Sequence, residues 1–215
     1  MIDHVLYLHG FASSARSTKA GYFAERLAPF GLTLRCPDFN EPDFATLTMT
    51  RMLEQVGREL DALGAGTVAV IGSSLGGSVA ILAASRYGAR IDRLVLMAPA
   101  VLFAKPGHHL LPPERLREWR RLGSLPFFHF AYGEKRPLEY AFYEDSLRYN
   151  PLDAPFAQPT RLFQGSRDES VSPEGAQAFA ATRPNVTLTM LDDDHQLIAS
   201  LPTIWGGVSA FLELA

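Results

Sequence analysis

The segment Gly72-Ser73-Ser74-Leu75-Gly76 could place a nucleophilic serine at a sharp turn. It follows an apolar run that ends at Ile71 and precedes a stretch of small residues that can continue as a helix. A strand that turns into a helix within one residue forces the central serine into a strained conformation, and the flanking glycines let strand and helix approach closely. The motif therefore predicts Ser74 as an exposed nucleophile.

A serine hydroxyl is a poor nucleophile at neutral pH, so Ser74 needs a base that removes its proton. Of the six histidines, only His195 follows the last predicted strand of the chain. Loops at the carboxyl ends of parallel strands converge on one edge of a sheet, so this loop can reach the loop of Ser74. We therefore predict His195 as the base.

The base in turn needs a carboxylate that fixes its orientation and its tautomer. Asp168 lies just beyond a predicted strand that ends near Phe163, and we predict it in this role rather than as a partner of Arg167. Asp194 is a weaker candidate, because a residue adjacent to the histidine is poorly placed to hold the ring. The run from Asp192 to Asp194 is interpreted mainly as a solvated turn.

Negative charge that develops on a substrate oxygen requires fixed hydrogen-bond donors. We predict the backbone N–H of Leu75, at the start of the helix, and that of Phe11, in the loop after the first strand, as these donors. His9 and Gly10 are placed beside the substrate, with His9 serving mainly to hydrogen-bond the loop. The polar residues that follow are expected to shape the loop and to cap the next helix: Ser13, Ser14, Ser17 and Lys19.

Short β-rich apolar runs alternate with helical patterns along the chain, which is typical of a parallel sheet covered on both faces. The predicted strands are Val5 to Leu8, Leu32 to Cys36, Thr67 to Ile71, Arg93 to Met97, Thr160 to Phe163 and Val186 to Leu191. The predicted helices are Thr18 to Leu27, Phe44 to Leu63 with Asp43 as its cap, Leu75 to Arg86, Pro173 to Ala181 and Leu201 to Leu212.

The alternation is interrupted by residues 102–150, which hold 10 of the 23 aromatic residues of the chain. Pro126 to Tyr132 and Leu138 to Tyr143 are predicted to form a hairpin around the turn Gly133 to Arg136. A long insertion of this kind is often a lid or a binding loop. We place Phe103, Phe128 and Tyr143 against the substrate; alternatively, the aromatic residues only fill a small core within the insertion.

Composition and charge narrow the function classes. The 215 residues suffice for one domain, 1–215, and a net charge of −3 offers no long-range attraction to nucleic acid. The basic cluster Arg115 to Arg121 alternates with glutamates and is interpreted as a solvated helix face rather than an anion-binding patch.

The residue types also exclude several kinds of site and location. A single cysteine, Cys36, excludes an intrachain disulfide. No membrane span or targeting segment is evident, and we expect a cytoplasmic protein. The pair His108-His109 lacks zinc-type spacing, so no metal is predicted.

These motifs together resemble the α/β-hydrolase superfamily over essentially the whole chain. Within it, His9-Gly10-Phe11-Ala12-Ser13-Ser14, Ser17-x-Lys19-Ala20 and the segment Gly72 to Gly77 are similar to small bacterial esterases of YqiA type. The resemblance implies a three-layer α/β sandwich whose mostly parallel sheet has about six strands and lacks the first two of the full fold, with a lid insertion. It implies an acyl-enzyme mechanism on a small-molecule ester and requires no cofactor.

The sequence leaves three alternatives open. The same three side chains would serve a thioesterase or protein deacylase, and also a hydrolase of carbon–carbon bonds. The scaffold could also bind a ligand without catalysis. The sequence does not fix the acyl chain length or the oligomeric state, although the aromatic insertion favours an apolar acyl group of medium size.

Overall fold

A computed structural model describes residues 2–105, 108 and 110–214, and its centre is a six-stranded sheet. The strands lie in the order β2-β1-β3-β4-β7-β8, and every neighbouring pair is parallel. Their bounds are β1 His4–Leu8, β2 Leu34–Arg35, β3 Val68–Ser73, β4 Arg93–Met97, β7 Thr160–Gly165 and β8 Val186–Leu191. The predicted parallel sheet of about six strands is confirmed.

Helices cover both faces of this sheet, because its central strands are apolar on both sides. Along β1, Leu6 and Leu8 belong to the core on one face of the sheet, whereas Val5 and Tyr7 belong to the core on the other face. This alternation gives the three layers of the fold. The long helices are α1 Thr18–Leu27, α2 Met49–Ala62, α3 Leu75–Arg86, α4 Pro113–Leu122, α6 Pro173–Ala181 and α7 Leu201–Phe211, with a shorter α5 at Ala141–Ser146. None of the described helices has the length and apolar character that a bilayer crossing requires.

The second helix begins later than predicted, which corrects one boundary. Asp43 caps only a short 3₁₀ helix, Phe44–Thr46, where its side chain accepts a hydrogen bond from the Ala45 N–H. Leu47 then adopts an extended ψ of 137°, and Thr48 caps the α-helix itself by accepting from the Arg51 N–H. A second good cap within the predicted helix therefore splits the segment in two.

The edge strand β2 is also shorter than predicted. It pairs with β1 only at Leu34 and Arg35, and the Leu32 N–H instead donates to the Leu27 carbonyl after α1. A backbone group that completes a helix end cannot also extend a strand.

Residues 102–150 form α4, a hairpin and α5 between β4 and β7. The hairpin strands are β5 Ser124–His129 and β6 Glu134–Glu139, joined by a turn that ends at Gly133 in the left-handed region, with φ of 68°. The hairpin is therefore confirmed, but its turn lies about three residues earlier than predicted, because Gly133 closes the turn rather than opening it. The second strand accordingly ends at Glu139, and Ala141 to Tyr143, predicted as strand, belong to α5. Trp119 is fully buried here, and its indole N–H donates to the Leu138 carbonyl at 2.8 Å.

Backbone contact between β1 and α3 leaves no room for a side chain at the helix start. A Cβ atom at Gly76 would lie 2.0 Å from the Leu8 carbonyl oxygen, and one at Gly72 would lie 2.5 Å from the Gly76 carbonyl oxygen. Both opposing atoms belong to the backbone and cannot rotate away. The helix can therefore approach the sheet this closely only with glycine at these positions.

We expect Gly76→Ala to lower the free energy of unfolding by about 3 kcal/mol or more, because the added methyl group must displace β1 or α3. Gly21→Ala is the matched control, since nothing lies within 4 Å of a Cβ at this position of α1. The control is expected to gain about 0.5–1 kcal/mol from the helix preference of alanine. Urea unfolding of both variants measures the difference, and equal stabilities would contradict the packing argument.

Candidate active site

Ser74 occupies a strained turn between β3 and α3. Its backbone has φ of 54° and ψ of −120°, a conformation that a residue with a side chain rarely adopts. The turn is held because the Ser74 N–H donates to the Met97 carbonyl at 2.9 Å and the Ser74 carbonyl accepts from the Gly77 N–H at 2.9 Å. The side chain consequently points away from the sheet and lines a cavity.

His195 lies in the loop after β8 and joins the other two predicted side chains. Its Nε2 atom is 3.0 Å from the Ser74 hydroxyl, and its Nδ1 atom is 2.8 Å from Asp168 Oδ2. Because an ionised carboxylate can only accept, the neutral ring carries its proton on Nδ1, and Nε2 is left to accept the serine proton. The three side chains form one row of hydrogen bonds across three loops.

Asp168 is the fully buried end of this row, and its carboxylate has four donors. The Ser170 and Val171 N–H groups donate to Oδ1, each at 2.8 Å, while His195 Nδ1 and Gln164 Nε2 donate to Oδ2. Burial opposes ionisation, but these hydrogen bonds outweigh it and hold the pKa of Asp168 below its usual value. Arg167 pairs with Asp192 at 2.9 Å instead, so the alternative partner considered for Asp168 is not used.

The acidic residues before His195 accept hydrogen bonds within their own loop and are not part of the row formed by Ser74, His195 and Asp168. Asp194 accepts from the Gln196 N–H at 2.7 Å, and Asp193 accepts from the N–H groups of Asp194 and Ser200. Among the described residues, the His195 ring contacts Asp168 and Ser74, and neither the Asp193 nor the Asp194 carboxylate forms a hydrogen bond or an ion pair with it. Asp193 is buried, which is an exception to the mainly solvated turn that the sequence predicted: its carboxylate accepts from N–H groups of the loop inside the protein.

The loop after β1 lies against the serine turn. A Cβ atom added to Gly10 would lie 3.3 Å from Ser74 Cβ. The Phe11 N–H donates no hydrogen bond to another described residue. Leu75 is the first residue of α3, where the N–H groups lack partners within the helix. Both predicted donors line the same cavity as Ser74.

His9 supports this loop from inside the protein. It is 2% exposed; its Nε2 atom accepts from the Phe39 N–H at 2.9 Å, and its Nδ1 atom therefore donates to the Gly10 carbonyl at 2.9 Å. His9 does not line the cavity. These contacts agree with the prediction that His9 hydrogen-bonds the loop. They do not agree with the prediction that His9 lies beside the substrate.

The cavity has a volume of about 1100 Å³, which is ample for a small substrate. Gly10 and Phe103 line it as predicted, but Phe128 and Tyr143 do not. Phe128 is half exposed on the outer side of the hairpin, and Tyr143 packs into the core beneath it. The insertion thus supplies both core and cavity wall; its wall residues are Phe103, Leu110, Phe130, Ala131 and Tyr132.

Two polar side chains near the site were not predicted from the sequence. Gln164, fully buried in β7, donates to Asp168 as described above; an amide directly after the apolar pair Leu162-Phe163 is the signal that could have revealed it. Asn40 joins the insertion to the loop after β1, because its Oδ1 atom accepts from His129 Nε2 at 2.9 Å and its Nδ2 donates to the Ser13 carbonyl at 2.8 Å. Its position in a loop gave no such signal.

Within the part of the chain that the structure describes, no group of three or more His, Cys, Asp or Glu side chains is arranged to hold a metal ion. His109, half of the pair considered above, lies outside the described residues.

Residues 4–211 match the family described as "Uncharacterised protein family (UPF0227)". The chain belongs to this family. Membership confirms the resemblance to YqiA-type proteins. A search of curated proteins finds no significant match to this UPF0227 chain.

Solved structures share the fold of this UPF0227 chain. Est1E from Butyrivibrio proteoclasticus, solved with ferulic acid bound, superposes with a TM-score of 0.84 at 22% identity over 98% of this chain and 88% of its own. Mouse alpha/beta hydrolase domain-containing protein 10 gives 0.81 at 23% identity, over 98% and 89% of the two chains. A monoacylglycerol lipase from Paleococcus ferrophilus gives 0.75 at 15%, over 98% and 94%. At these identities the likeness shows a common α/β-hydrolase fold.

We expect Asp168→Asn to lower the free energy of unfolding at pH 7 by about 1.5–3 kcal/mol, because an amide cannot accept from all four donors. The folded-state pKa lies below the unfolded value of about 3.9, so the carboxylate stabilises the fold above that pH and loses this effect as pH falls through the folded-state pKa. The difference between wild type and variant should therefore shrink below about pH 5.

Urea unfolding between pH 7 and pH 3 measures this trend. Asp192→Asn is the control, since that carboxylate is 89% exposed and its loss should change stability by less than about 0.5 kcal/mol. A pH-independent difference for Asp168→Asn would show that the carboxylate charge is not what stabilises the loop.

Proposed function

We propose that this protein is a serine hydrolase that cleaves carboxylic esters through an acyl-enzyme. One observation carries the proposal: a fully buried carboxylate, an imidazole and a serine hydroxyl form a continuous row, with contacts of 2.8 and 3.0 Å, at the wall of a cavity. This is the geometry that nucleophilic catalysis by serine requires. The esterase and lipase names of proteins with the same fold support it.

In the proposed first step, Ser74 Oγ attacks the ester carbonyl while His195 Nε2 accepts the hydroxyl proton. Asp168 stabilises the imidazolium that forms and keeps Nδ1 protonated. The oxygen of the tetrahedral intermediate takes the negative charge, and the N–H groups of Phe11 and Leu75 are proposed to donate to it. His195 then protonates the leaving alcohol, and the acyl group stays on Ser74.

Water completes the proposed cycle. His195 Nε2 accepts a proton from a water molecule as the water oxygen attacks the acyl carbonyl. The second tetrahedral intermediate then collapses: the bond to Ser74 Oγ breaks, His195 returns the proton to that oxygen, and a carboxylic acid leaves. The strained turn serves both steps, because it fixes the hydroxyl beside the ring without a change of conformation. No step in this cycle draws on a group other than side chains, backbone N–H groups and water.

We propose that residues 102–150 act as a lid that provides the acyl subsite. Phe103 and Leu110 line the cavity with Phe11 and Leu75, and Phe103 packs against Phe142 of the insertion core at 5.8 Å between ring centroids. The subsite wall is therefore apolar and supported from behind. Apolar burial favours an acyl chain longer than acetyl.

Ser74→Ala and His195→Ala are each expected to lower kcat/KM for p-nitrophenyl hexanoate by at least about 10³-fold, because each removes a group that acts in every step. Ser74→Ala should also abolish labelling by a fluorophosphonate probe. Ser166→Ala is the control: this serine lies exposed in the loop of Asp168, away from the hydroxyl row, and its loss should leave both readouts unchanged. Full activity of Ser74→Ala would refute the proposed nucleophile.

Wild type should hydrolyse hexanoyl esters faster than acetyl esters, and Phe103→Ala should reduce that preference about tenfold by removing apolar wall. Phe128→Ala is the control, because that ring is half exposed and does not line the cavity. Chain-length panels of oxygen esters and thioesters measure the effect. Equal shifts in both variants would contradict the subsite, and faster turnover of thioesters would make the protein a thioesterase.

A further inference from the structure

The cavity that holds Ser74 has a second, polar wall that the proposed mechanism leaves unused. We call this surface the polar wall. It is formed by the segment between β1 and α1 and by the first turn of α1, and its residues are Ser13, Ser14, Arg16, Ser17, Thr18 and Lys19. It differs from the apolar wall of the lid both in chemistry and in the element that supplies it.

Arg16 brings a positive charge to this wall that the protein itself does not neutralise. Its backbone N–H donates to Ser14 Oγ at 3.2 Å. Across the described residues, however, its guanidinium has neither an ion-pair partner within 4.0 Å nor a side-chain hydrogen bond, unlike the arginines that pair on the protein surface. A guanidinium offers five donors in a planar fork that matches a carboxylate or a phosphate.

Lys19 adds a second cation to the same wall. Its Nζ atom donates to the Gln196 carbonyl at 3.0 Å, which uses one of three donors. Burial lowers the pKa of the Lys19 ammonium to about 8, although Asp194 and Asp168 oppose the shift, so the group remains mainly charged at neutral pH. The contact with Gln196 also places this wall next to the loop of His195.

One carboxylate, Asp38, faces the same cavity, but the loop around it already satisfies this group. Its Oδ1 atom accepts from the backbone N–H of Asn40 at 3.0 Å and from Asn40 Nδ2 at 2.7 Å. Asp194, Asp168 and Asp193 act on Lys19 and offset its charge, so the positive charge that this wall leaves without a protein partner is that of Arg16. An anionic ligand is therefore the chemistry that complements it.

The position of His195 indicates which part of a substrate meets this wall. His195 must protonate the leaving group, so the leaving group lies on the side of the imidazole, and Lys19 contacts the residue that follows it. The apolar lid wall, which includes Phe103 and Leu110, remains for the acyl chain.

We propose that the polar wall, with Arg16 as its principal cation, recognises a carboxylate or phosphate group on the alcohol part of the ester. This inference rests on the proposed hydrolase function and specifies its substrate class: an apolar acyl chain joined to an anionic alcohol. Arg16 acts here as a specificity-determining residue, and Lys19 both contributes charge and holds the His195 loop.

The test compares three hexanoyl esters with phenolic leaving groups that differ in charge. They carry a 4-carboxyl, a 4-phosphate or a neutral 4-carbamoyl substituent, and kcat/KM is measured for wild type and Arg16→Gln. Wild type is expected to prefer at least one anionic ester, and the variant should lose roughly 10- to 100-fold on that ester while changing less than twofold on the neutral one. Added salt should weaken the preference of wild type, because Arg16 is exposed.

Arg58→Gln is the matched control, since this exposed arginine on α2 lies outside the cavity and its substitution changes the net charge equally. It should retain the rates of wild type on all three esters. The comparison of the two anionic esters shows whether the wall takes a carboxylate or a phosphate.

Turnover of the neutral ester by wild type with no anionic preference, or equal losses on all esters in Arg16→Gln, would overturn the inference and leave the proposed function standing. Absence of turnover of any ester, with no fluorophosphonate labelling of Ser74, would remove both. Activity of the variant on the neutral ester also reports that its site is folded.

Discussion

The close backbone contact between β1 and the start of α3 is the constraint on which the site depends. Because Gly76 lies against the Leu8 carbonyl oxygen, the helix begins directly beside the loop that follows β1. That contact places α3 beside the strained turn at Ser74, so Phe11 and Leu75 line the same cavity as the serine. A single side-chain carbon at position 76 would push α3 away from β1, and would therefore separate Ser74 from the loop that follows β1.

A second constraint is the full hydrogen bonding of the buried carboxylate. Asp168 would be costly to bury if any of its lone pairs were left unsatisfied. Loop N–H groups and the Gln164 amide satisfy it, and the remaining direction is occupied by His195. The orientation of the imidazole is thus a consequence of how the loop after β7 is folded, rather than a property of the histidine loop alone.

The insertion has two physical roles, which explains why the aromatic composition of residues 102–150 had two plausible interpretations. Trp119 and Phe142 are fully buried and join the core above α2 and α3, whereas Phe103 and Phe130 face the cavity. Composition alone cannot separate these sets, because both consist of apolar aromatic side chains. The turn at Gly133 sets the hairpin register, and a shift of that turn exchanges which residues face inward.

The sequence by itself determined the parallel sheet, the serine turn and the order of serine, aspartate and histidine, because these follow from local patterns and from strand ends that must share one edge. It did not determine the break at Leu47, the burial of Asp193, or the contacts of Gln164 and Asn40. Each of these depends on which distant donor or acceptor a group meets after folding, and hydrogen bonds between remote loops leave no periodic signal in the chain. The tertiary structure alone decided them, and with them which aromatic residues line the cavity.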